Sequence, residues 1–256
     1  MADVLADIIR HKITENRHLS EIDRRSLRPS DRDFAGALRG RSLQIIAELK
    51  PRSPSSGALC GDYQPDEIAR QYEQAGAAAV SVLTDEKFFG GHPSHLTQAR
   101  AATSLPVLRK DFIIEERQVL ESRHIGADAC LLIVGALEQS VLLDLKAQIE
   151  DLGMAVLVEV HDERELDIAV GTNPAMIGIN NRNLHDLSID RQVIHRLCPL
   201  VPDGVLIVSE SGITTPQEVR ELPQRVNGVL IGTALMRSND SSSFIRQALA
   251  GQEVAK

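Results

Sequence analysis

The stretch QIIAELKPRSPSSG, residues 44–57, runs an apolar strand directly into two charges and a polar turn. Gln44, Ile45, Ile46 and Ala47 are strand-like and too apolar for a solvent face, and Glu48 and Lys50 continue the alternating register of Ile46. The two charges therefore share one side. If that side is the inside of a parallel sheet, an acid and an ammonium lie together in a partly buried place, where ionisable groups are seldom found unless paired or used. The other reading is an ion pair on the surface at a strand end.

The rest of the chain bears on that choice through its rhythm. From Gln44 onward, an apolar run of four to seven residues, a polar or Gly-containing junction and a segment of helical composition alternate through eight cycles. The expected strands are Gln44 to Leu49, Ala78 to Leu83, Pro106 to Lys110, Ala129 to Val134, Ala155 to Val160, Met176 to Asn180, Val205 to Ser209 and Gly228 to Ile231. Helices are expected over Pro65 to Gln74 with a stop at Gly76, Glu115 to Ile125 before Gly126, and Glu138 to Leu152 before Gly153. The sixth and seventh helices are the shortest. Nearly continuous Val/Ile/Leu strands separated by helices imply a parallel sheet covered by helices. Eight repeats favour closure into a (βα)8 TIM barrel, one α/β domain over residues 1–256. A doubly wound nucleotide-binding sheet would expect GxGxxG after the first strand, and KPRSPSSG does not supply it.

Residues 1–43 read as an N-terminal helical extension within that domain. Leu5, Ile8, Ile9, Lys12 and Ile13 fall at helical spacing, and a second short helix is expected from a cap at Ser30, with Asp33 in the capping-box position, through Phe34, Ala37 and Leu38 to Gly40. The pair is expected to pack on the barrel as a lid or plug.

With 256 residues, 43% hydrophobic and 25% charged, the chain has the composition of a soluble globular protein. Cys60, Cys130 and Cys198 fit no metal-ligand or disulfide spacing, which points to a reducing, cytoplasmic compartment. MADVLADIIRHK lacks the apolar core of a signal peptide, and the longest apolar run, Ala129 to Leu137, is too short to span a bilayer. A formal net charge of −8 disfavours nucleic acid or an anionic membrane as partner, and the absence of Trp disfavours stacking as a main binding mode.

In such a barrel the active site forms at the C-terminal strand ends. Strand one ends in Glu48 and Lys50, strand three in Lys110 and Asp111, strand five in Glu159, strand six in Asn180 and Arg182, and strand seven in Glu210 and Ser211, whereas the opposite ends carry Gln, Ala, Pro and Met. Scattered surface charge would occupy both ends. Lys110 alternates with Leu108 and so shares the interior with Glu48 and Lys50; its alternative is a solvated strand end. Glu159 ends an otherwise apolar strand, where desolvation raises a carboxyl's pKa unless a lysine pairs with it. His161 is expected to face the other way in a structural role, and His92 and His95 to mark a loop and helix start with no metal site. Ser211-Gly212 and Gly232-Thr233 place small residues where backbone can approach an anion, and with Arg182 and Lys50 they suggest a phosphate anchor.

IIAELKPRSPSSG, SVLTDEKFFGG, LPVLRKDFI, GADACLLIV, LVEVHD, IGINNRNL, VSESGI and VLIGTALMR, in this order, resemble the successive strand-end motifs of indole-3-glycerol phosphate synthase, over nearly the whole chain. The resemblance implies a lyase of tryptophan biosynthesis that closes 1-(2-carboxyphenylamino)-1-deoxyribulose 5-phosphate to indole-3-glycerol phosphate with loss of carbon dioxide and water, without metal or cofactor. It implies Lys110 as the general acid at the ribulose carbonyl and Glu159 as base or charge-stabilising carboxylate near the anilino nitrogen. Glu48 and Lys50 would be a further acid–base pair, and Asn180 and Glu210 would orient the lysines and substrate hydroxyls. Ser53 resembles a contact to the substrate carboxylate; Arg182, Ser211, Gly212, Gly232 and Thr233 resemble the phosphate site; Phe112 and Leu131 resemble the lining of an aromatic pocket. The implied partner is a small phosphorylated substrate, and the protein is expected to be a monomer or weak homodimer. Two departures stand out: Ser56 where many members carry a lysine, and Thr233-Ala234 where the last motif often reads Glu-Ser. A phosphoribosyl isomerase would share the phosphate anchor but needs a different acid–base set, and a silent paralogue would be expected to lose one of Glu48, Lys50, Lys110 and Glu159.

Overall fold

The computed structural model describes residues 3–40, 42–53 and 57–250. Eight parallel strands close into a barrel in sequence order: β1 (Gln44–Leu49), β2 (Ala79–Leu83), β3 (Val107–Lys110), β4 (Ala129–Ile133), β5 (Ala155–Val160), β6 (Met176–Asn180), β7 (Leu206–Glu210) and β8 (Gly228–Ile231), with β8 pairing back onto β1. The predicted strands lie within a residue of these bounds.

Alternation along each strand sorts the apolar side chains into two sets. Ile46, Leu108, Leu131, Leu157, Val208 and Leu230 fill the interior, while Ile45, Val80, Val107, Val156, Ile177 and Val229 face the surrounding helices. Each fully buried Ile or Leu contributes roughly 1.5–3 kcal/mol, so a one-residue slip of register would exchange the two sets and is strongly disfavoured.

The helices are α1 (Val4–Glu15), α2 (Phe34–Ala37), α3 (Pro65–Ala75), α4 (Glu86–Phe89), α5 (Pro93–Ala102), α6 (Glu116–His124), α7 (Gln139–Asp151), α8 (Glu163–Gly171), α9 (Gln192–Leu197), α10 (Thr233–Arg237) and α11 (Ser241–Ala250). α3 starts at Pro65 and stops where Gly76 turns left-handed at φ 99°, and α6 and α7 end just before Gly126 and Gly153, as predicted. Between β7 and β8 there is only a 3-10 segment, Gln217–Glu221, because Pro216 and Pro223 leave no room for a longer helix. His92 caps α5 by accepting from Ser94 N, the helix-start role expected of it.

The extension spans the barrel from one end to the other. α1 lies at the C-terminal strand ends, where Val4 N donates to His185 O beyond β6 and Lys12 reaches Asp85 and Asp111 beyond β2 and β3. Phe34 and Leu38 of the second segment join the interior cluster from the opposite end, with Leu38 against Gly228 at the start of β8. Two expectations need correction here. The cap of α2 is Asp33, whose carboxylate accepts from Gly36 N, whereas the Ser30 hydroxyl is taken by Asp128. On α1, Ile13 is 47% exposed while Lys12 is 1% exposed, because the position faces two buried carboxylates and not an apolar surface.

Candidate active site

The C-terminal rim surrounds a cavity of about 780 Å3. Glu48, Lys50, Lys110, Phe112, Leu131, Glu159, Asn180, Arg182, Glu210, Ser211, Gly212, Gly232 and Thr233 all line it. Ser53 does not. It is buried in a two-stranded ribbon, Arg52–Ser53 with Gly57–Ala58, and its hydroxyl finds no partner among the described residues. Ser56 lies outside the described residues.

Parallel strands of equal register bring side chains from different cycles to one level. Glu159 stands beside Gly178, and Asn180 beside Glu210. Lys110 Nζ lies 2.7 Å from Glu159 Oε2 and 3.0 Å from Glu210 Oε2, and Lys50 Nζ lies 2.6 Å from Glu48 Oε2. The pair that opens the barrel therefore faces the interior and is not a surface ion pair. Asn180 Nδ2 donates to Glu159 Oε1 at 3.0 Å, and its own oxygen accepts from Arg182 N at 3.0 Å, which fixes which way the amide points. Two glycines make room for these acids. A Cβ at Gly178 would collide with Glu210, and one at Gly232 with Glu48.

His161 does not turn away as expected. It is two residues beyond Glu159 and so shares its side, with Nε2 3.2 Å from Glu159 Oε1 and Nδ1 2.9 Å from Glu165 Oε2. Burial disfavours its charge, but the two carboxylates outweigh that and raise its pKa to about 10.

The three charges at the centre are pushed apart in titration. Burial works against the Lys110 ammonium, but Glu159, Glu210 and Glu48 more than offset it and hold the group above the usual lysine range. Burial likewise works against ionised Glu159, and Lys110 and His161 win, holding it below the usual carboxylate range. Glu210 goes the other way. Burial raises it, Lys110 opposes, and the charge on Glu159 adds to the rise. Neither Glu210 oxygen accepts a well-directed hydrogen bond, so only the Lys110 ammonium, 3.0 Å away, offsets the burial of this carboxyl. Two carboxyls whose pKa values are pushed in opposite directions thus stand beside one ammonium, the arrangement that lets one pocket run acid and base steps.

On the other side of the rim the backbone is unusual. Ser211 and Gly212 are both left-handed, at φ 63° and 91°, a conformation costly for serine that persists only where the surrounding structure holds it. Asn181 holds the turn, donating to Glu210 O and Ser211 O and accepting from Ile194 N. Arg182 donates to Leu187 O at 2.8 Å and lines the same wall.

Sequence reasoning missed Asn181 and the second ring of the aromatic wall, Phe89. Phe89 lines the cavity with its ring 6.1 Å from that of Phe112, and Leu184, Leu187 and Ile189 close the cavity from the loop after β6. KFFGG carried the signal for Phe89, but α4 is only four residues long and has no periodicity to read.

The family model for indole-3-glycerol phosphate synthase matches residues 2–248. The chain is 52% identical over 219 residues to indole-3-glycerol phosphate synthase 2 of Streptomyces coelicolor, covering 85% of each. It is 47% identical over 252 residues to indole-3-glycerol phosphate synthase of Polaromonas naphthalenivorans, covering 94% of this chain and 96% of that one. Among solved structures, KGPDC from Streptococcus mutans superposes with a TM-score of 0.62 at 10% identity, over 81% of this chain and 95% of that one, a likeness of fold alone.

Proposed function

The chain belongs to the indole-3-glycerol phosphate synthase family, and on that premise we propose how its rim divides the work. The reaction is the conversion of 1-(2-carboxyphenylamino)-1-deoxyribulose 5-phosphate to indole-3-glycerol phosphate with loss of carbon dioxide and water. Lys110 is the general acid: its ammonium hydrogen-bonds the ribulose carbonyl and supplies the proton as the anthranilate ring carbon attacks. Ionised Glu159, held by Asn180 and His161, faces the anilino nitrogen and stabilises the positive charge that ring closure places there until carbon dioxide leaves. Glu210 in its neutral form donates to a substrate hydroxyl, and Glu48 with Lys50 forms the acid–base pair for dehydration.

Binding is assigned by chemistry. Arg182, Ser211, Gly212, Gly232 and Thr233 take the phosphate, supported by the left-handed turn and the guanidinium on one wall. Phe112 and Leu131, joined by Phe89, take the aromatic ring; Ser53, buried in the ribbon and away from the cavity lining, is left without a role in binding. The observation that carries the reading is the Lys110 ammonium set between the carboxyls of Glu159 and Glu210, at 2.7 and 3.0 Å. The net charge of −8 supports a protein without nucleic-acid or membrane partners, acting as a monomer or weak homodimer, and the three free cysteines support a reducing, cytoplasmic compartment; no described helix is long and apolar enough to cross a membrane.

Incubation of the purified protein with the carboxyphenylamino substrate tests this directly. Indole fluorescence should develop without added metal, and its failure to appear overturns the assignment.

A further inference from the structure

Two polar residues, Lys12 on the inward face of α1 and Asn16 at its C-cap, are each 1% exposed and stand outside the catalytic set. Lys12 Nζ lies 2.9 Å from Asp111 Oδ1, 3.0 Å from Asp85 Oδ2 and 3.1 Å from Glu15 Oε1. Its stem comes from the apolar side of an amphipathic helix, so hydrophobic burial alone would favour Leu or Met there. Removing an ammonium from water is costly unless it is well paired, and here it meets two carboxylates that are themselves fully buried.

What those carboxylates hold is the aromatic wall of the cavity. Asp85 Oδ1 accepts from Phe88 N at 2.8 Å and Phe89 N at 3.3 Å, and so caps the short helix that presents the Phe89 ring. Asp111 Oδ1 accepts from Phe112 N at 2.8 Å, and its other oxygen is taken by Thr84 and Arg109. Asn16 adds a second strut: its Nδ2 donates to Gln118 Oε1 at 2.9 Å, and Gln118 Nε2 donates in turn to Phe112 O at 2.9 Å. The backbone of Phe112 is thus gripped at both its N–H and its C=O, and the grips end on two buried side chains, one in α1 and one at its C-cap. One ammonium also ties the Phe112 grip to the cap beneath Phe89, the ring paired with it.

We infer that Lys12 and Asn16 are positioning residues for the reaction: from the N-terminal helix they set the spacing of Phe89 and Phe112, and with it the fit of the substrate's aromatic ring. The inference rests on the assignment of these rings to the anthranilate end of the substrate. It makes the N-terminal helix a part of substrate recognition although none of its residues reaches the reacting atoms.

The test is kinetic. At a temperature where circular dichroism shows a folded protein, Lys12→Met should raise KM for the carboxyphenylamino substrate about 10-fold with a smaller change in kcat, because it loosens binding shared by ground and transition states. Competitive inhibition by inorganic phosphate, whose site lies across the cavity at β7 and β8, should change less than about twofold. Lys12→Arg, which keeps the charge, should bring KM most of the way back. Asn16→Ala removes one neutral hydrogen bond, is expected to fold even if Lys12→Met does not, and should raise KM about threefold. Each affinity is also read as Kd from the substrate's anthranilate fluorescence in the turnover-blocked Lys110→Ala background. A wild type without turnover would therefore sink the assigned reaction and leave this measurement standing. Variants that lose thermal stability at unchanged KM and Kd, or that lose phosphate binding in equal measure, overturn the inference.

Discussion

Residues 110 and 111 are neighbours in sequence and belong to two different ionic clusters. Lys110 points into the barrel, where Glu159 and Glu210 compete for its ammonium and Glu210 is left with no well-directed hydrogen bond. Asp111 points the other way, where Lys12, Arg109, Thr84 and its own neighbour's N–H occupy both oxygens. Burial is nearly equal, and satisfaction is not. A buried carboxylate with both oxygens satisfied, as in Asp111, rigidifies its surroundings, whereas one short of hydrogen bonds, as in Glu210, is ready to exchange protons or to bind a ligand. The pKa directions follow the same division: Asp111 is drawn down to about 2, burial being outweighed by Lys12 and Arg109, while Glu210 is driven up.

Substitutions on the two sides should therefore fail differently. Lys110→Ala should lower kcat by about 10³-fold or more while circular dichroism and phosphate binding stay as in the wild type; unchanged development of indole fluorescence would remove the difference between the clusters. Glu210→Gln comes next, with kcat down about 10²-fold. A raised carboxyl is protonated at neutral pH and loses its proton as pH rises through the raised value, so the wild-type kcat should carry an alkaline limb that the Gln variant lacks. A limb that persists in the variant assigns it to another group. Arg182→Ala should act on binding, raising KM about 10-fold with kcat nearly retained, and a pure loss of kcat would place Arg182 in the chemistry.

Asp111→Asn should affect turnover least and stability most. A depressed carboxyl contributes stability that is complete above its unfolded value of 3.8 and is lost as pH falls through about 2. The difference in pKa corresponds to about 2 kcal/mol at neutral pH. In urea unfolding, the gap between wild type and variant should shrink as the pH is lowered through that window. A gap independent of pH would show that packing, and not charge, holds this side together.

The barrel was legible because its signal is repetitive. Eight apolar runs in one alternating register, five of them ended by charge at the same side, leave one closed parallel arrangement that buries the apolar set and gathers the charges. Irregular elements were not legible. The ribbon after β1 and the four-residue α4 are held by capping and contact, and carry no period. His161 was misplaced by one step of alternation, and with it the imidazole beside Glu159. Lys12 was legible only as a member of a stripe, since spacing assigns a side chain to a face and says nothing of what that face meets.

By itself, the sequence determined the order and spacing of the strands, the side on which Glu48, Lys50, Lys110 and Glu159 lie, and the rim at which they gather, because these follow from a periodicity of two and from the direction of a parallel strand. Tertiary structure alone decided which carboxyl is pushed up and which down, which carboxylates receive Lys12, and which rings pair in the aromatic wall. Those depend on distances of about 3 Å between residues tens of positions apart, and electrostatic competition at that range is set by the closed barrel and not by any local pattern.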